Sequence, residues 1–156
     1  MAGAYSAQFA QQIQEVIQNA TAAVVDGLTA STWHIILTHT TLTDAYLISD
    51  TGRMAGANST DFQQQVTSST ALWTLATSTS PSRFQNKVDI VISTGNFSAP
   101  AESTIKGWFA ASTNSTSAGT IYAWGDVTPN QVVSTGNTVQ FSTGDLTFDL
   151  GGGAST

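Results

Sequence analysis

The 156 residues carry four Lys or Arg against ten Asp or Glu, so 9% of the chain is charged where an ordinary soluble domain has roughly 25%. Four scattered bases and a net charge of −6 cannot neutralise a run of phosphates, which argues against nucleic acid and against an anionic membrane surface as partners. A hydrophobic content of 40%, with seven Phe and four Trp, argues against disorder and supplies one core, while the absence of Cys excludes disulfides, thiolate metal sites and cysteine nucleophiles.

Ser, Thr, Asn and Gln make up 61 of the residues, so the surface is neutral and polar. The first 25 residues contain no Lys or Arg and no continuous apolar stretch, and no apolar run approaches the roughly 18 residues of a membrane span. The expectation is a soluble protein without a signal peptide. Three segments are expected: a helical arm over 1–30, a β domain over 31–150 and a flexible tail over 151–156, whose sequence is GGGAST.

Residues 4 to 25 repeat their apolar positions at helical spacing. Tyr5, Phe9, Ile13, Val16, Ile17, Ala20 and Val24 form one stripe, and Gly27 follows as a stop. The polar positions between are mainly Gln8, Gln11, Gln12, Gln14, Gln18 and Asn19, with Ala among them. This stripe either packs on the chain's own β domain or docks on a partner or on copies of itself. Glutamines in place of Glu and Lys favour the second, because a neutral amide is desolvated at lower cost than a charge.

From Trp33 onward the pattern switches to period two. Strands are expected at Trp33–Thr40, Ala45–Ile48, Phe62–Val66, Val88–Ile92, Ile105–Ala110, Ile121–Gly125, Val139–Ser142 and Leu146–Leu150, and Ala71–Ala76 reads as either a strand or a helical turn. Leu47–Ser59 has no periodicity and reads as a long loop. Turns are expected at Ser115–Gly119, at Asp126–Asn130 around Pro129, at Gly136-Asn137 and at Gly144-Asp145. The tetrapeptide S-T-G-[ND] occurs at Ser93, Ser134 and Ser142, each supplying a Gly that tolerates positive φ. Many short strands without long helices between them predict an antiparallel β-sandwich or jelly roll behind the helical arm.

Chemistry is sparsely represented. His34 and His39 are the two imidazoles, and five residues apart on a strand they face opposite ways, which forbids a shared metal. The two glutamates, Glu15 and Glu102, fall on different segments, and the aspartates cluster at turns, so a paired-carboxylate site is not expected. No phosphate-binding glycine loop, nucleophile elbow or calcium loop is present. Four Asn-x-Ser/Thr triplets are what a chain with 43 Ser and Thr contains by chance. No catalytic residue, cofactor site or metal site is expected. The rival to a purely structural role is a carbohydrate-binding module using Trp33, Trp73, Trp108, Tyr122 and Trp124 as platforms, although Trp108 beside Phe109, and Tyr122 and Trp124 on one side of their strand, include core positions.

The stretches Ile35–Thr40, Thr104–Phe109, Gly119–Gly125, Gly136–Phe141 and Gly144–Phe148 together resemble the small β-sandwich accessory proteins of tailed-phage virions, of the capsid decoration (cement) or tail-appendage type. The likeness covers about residues 33–150 and consists of strand and turn vocabulary. It departs from the family run where Leu-Thr-His-Thr stands for Leu-His-Thr and where Gly52-Arg53-Met54-Ala55-Gly56 stands for a Gly-Tyr-Ala-Arg stretch. The resemblance implies a non-enzymatic virion protein assembled in the host cytoplasm, an oligomer and often a homotrimer, partnered by itself and by the major capsid protein or another virion protein. It implies the helix as anchor, with contacts expected from Phe9, Ile13, Val16 and Ile17 and from Arg53 and Met54 in the loop. A tail or receptor-binding appendage is the alternative within that class.

Overall fold

Where apolar side chains alternate cleanly, the chain forms strands. The computed structural model describes residues 2–5, 32–43, 47–54, 62–66, 72–76, 82–95, 102–115 and 118–150, and almost all of its regular structure is β. The strands are β1 (Ala2–Tyr5), β2 (Trp33–Thr38), β3 (Gln63–Val66), β4 (Trp73–Ala76), β5 (Ser82–Asn86), β6 (Ile90–Ser93), β7 (Glu102–Ala111), β8 (Ile121–Ser134), β9 (Thr138–Phe141) and β10 (Thr147–Leu150), with one 3-10 turn at Ile48–Asp50. The mainly β, antiparallel expectation is met.

Eight strands form one sheet in the order β3-β2-β7-β8-β1-β10-β5-β4, and β6 and β9 form a separate ribbon. Every described pair is antiparallel except β1 with β10, which run parallel. The ribbon and the sheet share a core. Trp33, Ile35 and Leu37 of β2, with Ile105 and Trp108 of β7, meet Ile90 and Ile92 of β6 and Val139 and Phe141 of β9. Trp108 approaches Phe141 edge-on at a centroid distance of 6.5 Å, a favoured aromatic geometry. On β2 the alternation separates Trp33, Ile35 and Leu37 from Ile36, which joins Phe109, Ala111, Ile121, Leu42 and Ile48 in a second cluster.

Two irregularities re-aim side chains. Ala110 pairs with Ala123 and Ala111 with Ile121, so Tyr122 is an extra residue on β8. This bulge sends Tyr122 into the main core while Trp124 packs against the second cluster, correcting the expectation that the two share one side. The stretch Asp126–Asn130, expected as a turn, lies within β8. Pro129 has no N–H to donate, and Ile105 pairs with Gln131 while Gly107 pairs with Asp126, so the chain bulges there and resumes its pairing instead of reversing.

The S-T-G-[ND] echo does behave as read: Gly95, Gly136 and Gly144 have φ of 48°, 84° and 87°. The first two copies interlock. Thr94 is fully buried and its hydroxyl lies 3.1 Å from the Ser134 carbonyl and 2.6 Å from that of Asn137, while Gly136 N donates to Gly95 O at 2.9 Å. The third copy is clasped by Asn86, also fully buried. Asn86 Nδ2 donates to the carbonyls of Val88 and Ser142 at 2.8 and 2.9 Å, and Asn86 Oδ1 accepts from Leu146 N at 2.9 Å.

The remaining boundaries differ in specific ways. Ile48, expected at the end of a strand, opens the 3-10 turn. β5, whose sequence SRFQN shows no alternation, is a strand because β4 and β10 pair with it on both sides. Ala4 and Tyr5, the first two positions of the expected helix, are strand residues in β1. Residues 6–25, with Phe9, Ile13, Val16 and Ile17, lie outside the described residues, as does the tail 151–156.

Candidate functional site

The edge strands of the two β layers face each other across a furrow. β3 pairs only with β2 and β6 only with β9 among the described residues, so no described strand pairs with the other edge of either. At one end the edges touch, with Phe62 N donating to Ser93 O at 2.8 Å. Phe62 holds a φ of 59°, a left-handed conformation that costs a bulky residue roughly 1–2 kcal/mol. Its ring is fully buried and its carbonyl accepts from Leu37 N at 3.0 Å, and these contacts hold the conformation. From there the edges diverge around a cleft of about 400 Å³ lined by His34, Gln63, Gln64, Gln65, Asn114 and Thr138, with Val91 and Ser93 on the β6 side. A second hollow of about 260 Å³ continues past Gln64, Gln65 and Val91 to Val66, Leu72, Val88 and Asp89.

His34 projects from β2 beside Gln63 on β3, with Nδ1 3.1 Å from Gln63 Oε1, so an N–H at Nδ1 donates to the amide oxygen. Burial pushes the imidazole pKa below the ordinary histidine value; the Gln63 bond opposes this and the charge of Arg53 adds to it. The neutral ring is therefore favoured, in keeping with a wall made of amides and hydroxyls. Arg53 is half-buried and its Nη1 donates to the Asn114 carbonyl, which ties the 47–54 loop to the wall of the cleft. Burial lowers the Arg53 pKa as well, and the guanidinium stays cationic at neutral pH.

The same loop is fastened to the end of β2. Thr38 forms a bridge with Arg53, His39 N donates to Gly52 O at 3.1 Å, and Met54 N donates to Leu37 O at 2.9 Å. Gly52 has φ 56°, and a Cβ there would fall 2.0 Å from Thr40 Oγ1, so the close approach requires glycine. Of the expected contact residues, Met54 is buried in the main core of its own chain and Arg53 supports the cleft from behind.

His39 lies beyond the end of β2, exposed, with its ring nitrogen on the Gly52 carbonyl, well separated in role from His34. No group of three or more metal-ligating side chains occurs among the described residues. Of the aromatics named as sugar platforms, Trp33, Trp73, Trp108 and Tyr122 are at most 6% exposed and belong to the core, while Trp124 is partly buried against the second cluster. Trp33 stacks obliquely between Trp73 and Tyr122 at 5.4 and 5.5 Å.

The cleft residues Gln63, Gln64, Gln65, Asn114 and Thr138 went unmarked in the sequence. Neutral amides form no motif, and the run Gln63-Gln64-Gln65 on an expected strand was the one signal there. No protein-family model matches the chain, and no curated protein matches it in sequence.

Proposed function

We propose that this chain is a non-enzymatic virion protein of a tailed phage, a capsid decoration protein that acts as a homotrimer and joins neighbouring shell subunits. In this reading the sheet and the ribbon are the two layers of a β-sandwich, and the segment after Tyr5 is a helical arm carrying Phe9, Ile13, Val16 and Ile17 as its contact stripe. The observation that supports it best is the furrow. Among the described residues, one edge each of β3 and β6 has no strand paired to it, and these edges flank a wall of amides and hydroxyls that a protein neighbour desolvates at lower cost than a charged one. The scarcity of charge over the whole chain extends the same property to the rest of the surface, and contacts made without ion pairs change little with salt. Symmetric assembly then multiplies contacts that are individually weak.

Light scattering coupled to size exclusion tests the reading: the expected mass is three times the 16.2 kDa chain, unchanged between low and high salt. A stable monomer across the micromolar range overturns it. Because four of the five platform candidates are buried, a glycan array is expected to show no saturable binding; binding that is lost on Trp124→Ala would favour the carbohydrate-binding alternative.

A further inference from the structure

The sheet is joined in the middle by β1, which a long stretch of chain separates from β2, the next described strand. β1 lies between β8 and β10, which do not pair with each other. It pairs antiparallel with β8 (Gly3↔Gly125, Ala4↔Trp124, Tyr5↔Ala123) and parallel with β10 (Ala2↔Thr147, Gly3↔Phe148). Without β1 the main-chain ladder falls into two pieces, β3-β2-β7-β8 and β10-β5-β4. Its sequence, Ala-Gly-Ala-Tyr, has three residues of low strand propensity, so the slot rather than the segment dictates the extended form.

The connection to the next strand is far longer than this seat requires. β1 and β2 are separated in the sheet by β7 and β8, three strand spacings or about 14 Å across. The 26 residues between Tyr5 and Thr32 reach about 40 Å if helical throughout and at most about 85 Å if extended. A folded chain of this length has a radius of gyration of only about 15 Å. The link is therefore long enough to carry β1 to an adjacent molecule. Exchange preserves every ladder contact of the slot, so it costs little in contact energy, and it turns a strand pairing into a subunit contact.

We infer that β1 is an exchanged strand: Ala2–Tyr5 of one copy fills the slot between β8 and β10 of a second copy of this chain. The inference rests on the oligomeric reading above and specifies how the copies are linked. It makes each sheet incomplete until a neighbour contributes its strand.

The absence of cysteine makes the test direct. Paired Cα positions in a ladder suit a disulfide, so full-length chains carrying Ala2→Cys with Thr147→Cys, or Tyr5→Cys with Ala123→Cys, are oxidised and run on a non-reducing denaturing gel. Exchange predicts covalent dimers and trimers in place of the single-chain band. As a check independent of either double variant, chains bearing only Ala2→Cys and only Thr147→Cys are unfolded together, refolded and oxidised, and exchange predicts a mixed dimer. A cross-linked single chain, or no cross-link from either pair, overturns the exchange. Light scattering on the unmodified protein separates the two readings: an oligomer with single-chain cross-links refutes exchange alone, and a monomer refutes both.

Discussion

Replacing Asn86 by Ala probes the clasp that holds the last turn of the fold. The Asn86 side chain is fully buried and makes three hydrogen bonds of 2.8–2.9 Å, donating to the carbonyls of Val88 and Ser142 and accepting from Leu146 N. Alanine removes all three and leaves two carbonyls and one N–H facing a space about the size of an amide. Each net hydrogen bond is worth about 1 kcal/mol, and a buried group left unpaired costs about 1–3 kcal/mol. A water molecule entering the space recovers part of that. The expected loss is about 3–5 kcal/mol, a fall in Tm of roughly 10–15 °C for a chain of this size. Thermal unfolding followed by circular dichroism measures it, with Asn137→Ala, at an exposed position, as a control within about 0.5 kcal/mol. Asn86→Asp sharpens the test. A carboxylate keeps the acceptor for Leu146 N but points charge at two carbonyls, so its folded pKa is raised. Its deficit relative to the parent chain is then greatest above the folded pKa and shrinks as pH falls through it. An Asn86→Ala chain within 1 kcal/mol of the parent would refute the clasp.

Two further outcomes are expected. Gly125→Ala places a Cβ 2.9–3.1 Å from three atoms of the fully buried Trp108 indole, which has no room to retreat, so a loss of about 1–3 kcal/mol should appear in chemical denaturation, and unchanged stability would contradict the packing. His34 has a folded pKa below its unfolded one, so the unfolded chain takes up the proton first; its contribution is complete above the ordinary histidine value and declines as pH falls toward the folded pKa. Stability measured from pH 7.5 to 5 should therefore fall less steeply in His34→Gln than in the parent, and parallel curves would remove His34 from the acid response.

The sequence by itself determined the class of the fold. Ile90–Ser93 was legible because every second side chain must reach one core, and Trp33–Thr38 because a short apolar run of this kind is a strand buried on both faces. The three S-T-G-[ND] turns were legible because left-handed backbone selects glycine. Local pattern could not reveal features set by a distant partner. SRFQN is a strand because β4 and β10 flank it, Tyr122 and Trp124 part company at a bulge defined by β7, and Pro129 interrupts a ladder without ending it. The same holds for the furrow, whose Gln63–Gln65, Asn114 and Thr138 are 75 positions apart at their extremes and carry no motif. The low charge was read from composition alone, but its place was not. Only the packing of the ribbon on the sheet brought β3 and β6, the end strands of the two described ladders, together around a wall of neutral amides, because edges and clefts are properties of strand order, and strand order is decided by contacts far apart in the chain.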